Sequence, residues 1–152
     1  MALTFRKATM KDWRTVSVLE ESASGSNTYV PITAEAEVKG YVRKSRIFLI
    51  LDGRKPVGTV SYEVKAPGHA HIDGLTVAPG HQRQGIASKA MAFLMKELEP
   101  FPRVDLVVHP HNTVAVRLYL KYGFHIEGWK ENHFGDGEPR IVLVKEQKPR
   151  KR

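Results

Sequence analysis

The chain has 152 residues and no cysteine, which excludes disulfides, thiolate metal sites and a cysteine nucleophile. With 41% hydrophobic and 26% charged residues it reads as one ordinary globular domain, long enough to bury roughly two-thirds of the surface its unfolded form exposes. The formal charge of +8 raises nucleic acid as a partner, but residues 145–152 hold five basic residues and one acid, a net +4, so the body is only mildly basic.

No apolar run approaches the length of a signal core or a membrane span, so a cytoplasmic protein without a membrane partner is expected. Residues 3–8 alternate as a first strand, and Thr9-Met10-Lys11-Asp12 resembles a capping box before a helix whose apolar face is Trp13, Val16, Leu19 and Ala23. Residues 22–27 form a serine-rich loop that either borders a pocket or simply connects helices. Pro31 is placed to open a second helix through Ala34, Val38 and Tyr41. Residues 47–51 and 57–64 are apolar or β-branched runs joined by Asp52-Gly53-Arg54-Lys55-Pro56, a hairpin signal, and residues 69–77 continue the meander. A helix over 84–97 is ended by Pro100 and Pro102. A strand over 104–108, a helix over 112–122 and two strands near 124–129 and 140–144 complete the chain. Residues 147–152 are expected as a solvated basic tail on a domain of residues 1–146.

Between the strand ending at Val77 and the next helix lies Ala78-Pro79-Gly80-His81-Gln82-Arg83-Gln84-Gly85-Ile86-Ala87, with two glycines and no acid. The first helical N–H groups and the helix dipole are therefore left free to meet an anion. Gly80 and Gly85 have the spacing of a nucleoside-triphosphate loop, but Ile86 and Ala87 stand where that motif needs Lys and Ser/Thr. No register supplies G-x-G-x-x-G either.

The run Gln82-Arg83-Gln84-Gly85-Ile86-Ala87 resembles the Q/R-x-x-G-x-G/A signature of the GNAT acyltransferase superfamily. Thirty residues after Gln82 begins a second run, Asn112-x-x-Ala115-x-x-Leu118-Tyr119-x-x-x-Gly123-Phe124, which is similar to the GNAT pattern N-x-x-A-x-x-L/F-Y-x-x-x-G-F. The element order β-α-α-β-β-β-α-β-α-β-β is the one that family uses, so the resemblance covers nearly the whole chain. It implies an α/β (α+β) GNAT fold: a central mixed, mostly antiparallel sheet of about seven strands with four helices.

The resemblance also implies acetyl-CoA as co-substrate and an N-acetyltransferase; with no cysteine for a covalent acetyl relay, direct attack in a ternary complex is expected. Main-chain amides of Gln82, Arg83, Gln84, Gly85, Ile86, Ala87 and Ser88 would hold its pyrophosphate. The main chain of Leu75, Thr76 and Val77 would meet the pantetheine, and Asn112 the same arm or a linked water. Tyr119 stands where the family's usual proton donor to the departing thiolate does; a phenol near pKa ~10 stays protonated at neutral pH. Dimers are common in that family, so a homodimer is allowed.

An ammonium acceptor must lose a proton before it attacks. Asp73 lies where some GNAT enzymes carry a glutamate facing the reaction centre. It shares a face with Leu75 and Val77 in a regular strand and not in a bulged one, and being short it points to a water relay. The alternative for Asp73 is a turn hydrogen bond before Gly74. Glu127, Glu131, Asp136 and Glu138 in the last hairpin could attract a cationic amine, which leans toward a small cationic acceptor over a protein α-amino or lysine group. The rival from another class is a non-catalytic acyl-CoA-binding or nucleic-acid-associated module. Among seven histidines, His69-x-His71 and His109-x-His111 are strand pairs with no third ligand at a telling spacing, which argues against a metal.

Overall fold

The computed structural model describes residues 2–22 and 30–150. Among these the strands and helices are β1 (Leu3–Lys7), α1 (Trp13–Glu21), α2 (Glu35–Lys44), β2 (Arg46–Asp52), β3 (Lys55–Ala66), β4 (His69–Val77), α3 (Ile86–Glu97), β5 (Arg103–Val108), α4 (Thr113–Lys121), β6 (His125–Lys130) and β7 (Arg140–Glu146). The order is the one expected from the sequence. The capping box is present, with the Thr9 amide donating to Asp12 Oδ2 at 2.8 Å, but it opens a 3-10 turn, Met10–Asp12, that leads into α1. The serine-rich loop after Ser22 lies outside the described residues.

The second helix starts later than Pro31 suggests, at Glu35. Its first turn carries Glu35 and Glu37 and its last Arg43 and Lys44, which is how charge suits the helix dipole.

The seven strands make one sheet in the order β1-β2-β3-β4-β5-β7-β6. Every neighbouring pair is antiparallel except β4 and β5, whose parallel pairing stops after His69↔Arg103, Ala70↔Val104 and His71↔Asp105. Beyond His71 the β5-facing edge of β4 has no partner strand. The sheet is split from that rung onward.

The run Ile47-Phe48-Leu49-Ile50 is buried on both faces, which is why β2 shows no polar alternation. Ile47 and Leu49 meet Val16 and Leu19 of α1 and Val38 and Tyr41 of α2. Phe48 and Ile50 lie on the opposite face, where Met91 and Leu94 of α3 and Tyr119 of α4 cover Val60, Ile72, Leu106 and Leu143. Helices therefore cover both faces of the sheet, and the gap between β4 and β5 connects the two sides.

Beyond β7, residues 148–150 are exposed, while Gln147 and Arg150 bond the turn after α3. The Gln147 amide donates to the Leu98 and Phe101 carbonyls at 2.8 Å each, and the Arg150 N–H donates to the Glu99 carbonyl. The tail spends its first residues capping the turn after α3.

Candidate active site

The loop between β4 and α3 is built by main-chain conformation. Gly80, Arg83 and Gly85 all have positive φ, +89°, +62° and +79°, so α3 begins at Ile86 and not at Gln84. A Cβ at Gly80 or Gly85 would meet nothing within 4 Å, so these glycines are required by the turn and not by packing. The side chains of Gln82 and Gln84 brace the loop, donating to the Val77 carbonyl at 3.1 Å and the Gly80 carbonyl at 3.3 Å. The first turn of α3 has no acid and no side-chain cap, and among the described residues the N–H groups of Gly85, Ile86, Ala87 and Ser88 have no protein acceptor. Free donors at a helix N-terminus are a site for an anion.

A cavity of about 520 Å³ runs from this loop between β4 and α4, lined by Val77, Gln82, Gly85, Ala87, Ser88 and Leu118 among others. A second cavity, of about 580 Å³, opens on the α1–α2 side and reaches Glu20, Tyr41, Ser45, Asp73 and His109. Leu75, Asn112, Ala115 and Tyr119 line both. The two cavities therefore meet where the sheet is split.

At that junction Tyr119 is 5% exposed, and among the described residues no protein group bonds its hydroxyl. Burial pushes the phenol well above the ordinary tyrosine range. It holds its proton firmly. Asn112 caps α4, its Oδ1 accepting from the Ala115 N–H at 3.3 Å, so it has a local task besides facing both cavities.

A family model described as the acetyltransferase (GNAT) family matches residues 10–124. The chain belongs to the GNAT acetyltransferase family. It is 32% identical over 97 residues to N-alpha-acetyltransferase 20 of Dictyostelium discoideum, covering 60% of this chain and 56% of that protein. The match thus spans little more than half the length of that relative. The fold is similar to that of an N-acetyltransferase from Staphylococcus aureus Mu50, with TM-score 0.83, 15% identity and coverage of 96% and 98% of the two chains. It is also similar to that of a GNAT acetyltransferase from Elizabethkingia anophelis with acetyl-CoA bound, with TM-score 0.73, 17% identity and coverage of 95% and 98%.

Within this GNAT fold the residues singled out from sequence divide by location. Leu75, Val77, Gln82, Arg83, Gly85, Ile86, Ala87, Ser88, Asn112 and Tyr119 line the 520 Å³ cavity. Thr76 is buried and lines neither cavity. Gln84 acts as a brace. Asp73 does not share a face with Leu75 and Val77: Ser61 pairs with Gly74 and Tyr62 with Ile72, so Asp73 is the extra residue of a bulge. The bulge turns its carboxylate to the α2 side, where Ser45 Oγ donates to Oδ2 at 2.6 Å. Burial pushes the Asp73 carboxyl up, and the Ser45 bond offsets this only in part.

The acids of the last hairpin are engaged elsewhere: Glu127 pairs with Arg103, Glu131 accepts from the Trp129 indole, Asp136 pairs with Arg140 and Glu138 bonds His109. The acids that line the 580 Å³ cavity are Glu20, Glu37, Glu63 and Asp73, from α1, α2, β3 and β4. His109 was singled out only for metal binding. It is 2% exposed, accepts the His111 N–H at Nδ1 and therefore donates from Nε2 to Glu138 at 3.0 Å, which ties the β6–β7 loop to the end of β5. His69 and His71 both bond Asp105. Among the described residues no group of three or more His, Cys, Asp or Glu side chains is arranged to hold a metal ion.

Proposed function

We propose that this protein transfers an acetyl group from acetyl-CoA to a primary amine in a ternary complex, and that the acceptor is a small cationic amine. The observation that carries the reading is the meeting of two cavities from opposite faces of the sheet at Leu75, Asn112, Ala115 and Tyr119. Donor and acceptor can enter separately and react at one point, and no cysteine is present to carry a covalent acetyl group.

The free N–H groups of Gly85, Ile86, Ala87 and Ser88 fit a pyrophosphate, and the unpaired edge of β4 at Leu75 and Val77 suits an amide-bearing arm. When bound, acetyl-CoA supplies a thioester carbonyl open to attack by an amine. Asp73 attracts the acceptor's ammonium and takes its proton, through a water because the side chain is short. Tyr119 keeps a proton ready for the departing sulfur, since burial opposes its ionisation. The acids around the acceptor cavity favour cations over carboxylate-bearing amines: Lys44 is paired with Glu63 and Arg140 with Asp136.

A second reading takes a protein α-amino group as acceptor. It is supported by the similarity to a protein named as an N-alpha-acetyltransferase. Acetyl-CoA-dependent thiol release, screened over polyamines, aminoglycosides, amino acids and short peptides, separates them. Turnover should be highest with polycationic small amines. Turnover with peptides alone would shift the acceptor to the α-amino class, and silence throughout, with acetyl-CoA still bound, would leave a binding module.

A further inference from the structure

The acceptor cavity holds a second proton-carrying group, in an arrangement the motifs do not encode. His71 lies two residues before Asp73 on β4 and lines the same 580 Å³ cavity. Its Nδ1 stands 2.7 Å from Asp105 Oδ1, across the last parallel rung before β4 and β5 part. His69 Nε2 bonds the other oxygen at 2.8 Å. Although burial alone would raise Asp105, the two imidazole bonds hold it below the usual carboxylate range, so it is an anion that only accepts. His71 must then donate from Nδ1, which leaves Nε2 of the neutral ring as a bare acceptor, and no described group bonds it. His69 makes the same kind of bond and lines neither cavity.

A buried carboxylate that takes a proton in each turnover must be reset before the next. We propose that His71, oriented by Asp105, is the relay that removes the acceptor's proton from Asp73 and delivers it to solvent. The inference rests on the acetyltransferase reading above. In balance, an N–H bond of the ammonium breaks and its proton passes to the Asp73 carboxylate. That O–H proton then moves to His71 Nε2, while Nδ1 stays bonded to Asp105, and the ring releases the proton to water. The freed amine forms the N–C bond as the C–S bond breaks, and the nitrogen's second proton balances the one Tyr119 gives to sulfur. No oxidant or reductant is involved.

The charged groups around His71 suit this task. Asp105 faces it from β5, Glu63 stands opposite on β3 and Asp73 and His69 share its strand, while His133 of the β6–β7 loop lies within electrostatic reach. Glu63 is itself paired with Lys44 and Lys65, so Asp105 is the anion bonded to the ring. Asp105 is a positioning residue.

The test compares His71→Gln, His69→Gln and Asp105→Asn with the wild-type protein on the best amine found in the acceptor screen. His71→Gln should lower kcat at neutral pH by about 10²-fold, at the low end of what a general acid or base contributes, with acetyl-CoA affinity unchanged. The deficit should shrink as pH rises, because the amine then arrives without the proton. Added imidazole should restore part of the rate to His71→Ala. Asp105→Asn should fall between His71→Gln and wild type, with its deficit also shrinking at high pH. A His71→Gln enzyme as fast as wild type overturns the relay, as do equal losses in His69→Gln and His71→Gln, which would mark the cluster as strand glue. If His71→Gln fails to fold, imidazole rescue of His71→Ala decides, and absence of rescue overturns the relay. A wild-type protein that acetylates no amine overturns the acetyltransferase reading and the relay with it, a result distinct from all of these.

Discussion

Burial acts in one direction on the two groups at the centre of the site, and the consequences for them are opposite. Tyr119 must be protonated to act as a donor, and its surroundings disfavour the phenolate. Tyr119→Phe keeps the ring and its contacts with Phe124 while removing the proton, so kcat should fall by roughly 10²–10⁴-fold in steady-state assays with acetyl-CoA affinity nearly unchanged. An undiminished rate would remove Tyr119 from the chemistry. Asp73 must be charged to act, and its surroundings disfavour the charge. A carboxyl raised in the folded state contributes stability present below its unfolded pKa and lost as pH rises through the folded pKa. Ionising Asp73 is therefore a burden on the fold. Asp73→Asn should lower kcat yet hold or raise Tm at pH 7, as thermal melts will measure, whereas a lower Tm would mean that the Ser45 bond outweighs desolvation. For the same reason the acid limb of the wild-type kcat–pH profile should lie above the ordinary carboxylate range.

At the scale of elements, the site depends on how β4 is held. Two glycines make opposite demands here. A Cβ at Gly58 on β3 would stand 2.2 Å from the Thr76 carbonyl oxygen, so the close approach of β3 to β4 beside Leu75 and Val77 is a packing requirement. Gly58→Ala should cost about 1–3 kcal/mol as overpacking, seen as a drop of about 2–4 °C in Tm per kcal/mol, and should weaken acetyl-CoA binding by shifting that edge. At Gly85 a Cβ has open space but φ is +79°, so Gly85→Ala should cost about 1–2 kcal/mol through backbone conformation alone. The domain should still fold, with acetyl-CoA affinity reduced when measured by calorimetry. Equal affinity would place the pyrophosphate elsewhere. The helix and strand periods that announce these elements are visible in sequence because they arise between near neighbours, whereas the later start of α2 follows from charge placement that Pro31 masks.

Over the whole molecule, the two cavities meet because one sheet carries helices on both faces and is split along one edge of β4. The C-terminal segment helps close the α3 end of that assembly, through Gln147 on the Leu98 and Phe101 carbonyls. Ending the chain after Glu146 should therefore lower Tm measurably, by leaving the Phe101 carbonyl without a protein donor and the Leu98 carbonyl with the Phe101 N–H alone; an unchanged melt would return the segment to the status of a solvated tail. Composition could not show this, since five basic residues look alike whether or not the backbone beside them is docked.

The conformation of the loop before α3 and the helix that carries Tyr119 were legible from the order of residues alone, because each is a local device. A turn needing positive φ, a helix N-terminus without acids, and an asparagine cap are all set by residues within a few positions of one another. The placement of Asp73, the choice of acids around the cavity on the α1–α2 side and the His71–Asp105 bond were not legible in this way. Each depends on pairing across the sheet: Asp73 bulges out because β3 passes Ile72 to Gly74 without a partner for it, and His71 meets Asp105 because two strands 34 residues apart share one last rung before they part. Local sequence specifies which elements form and where an anion can rest. Strand register, a long-range property, determines which side chains line the cavity on the α1–α2 side.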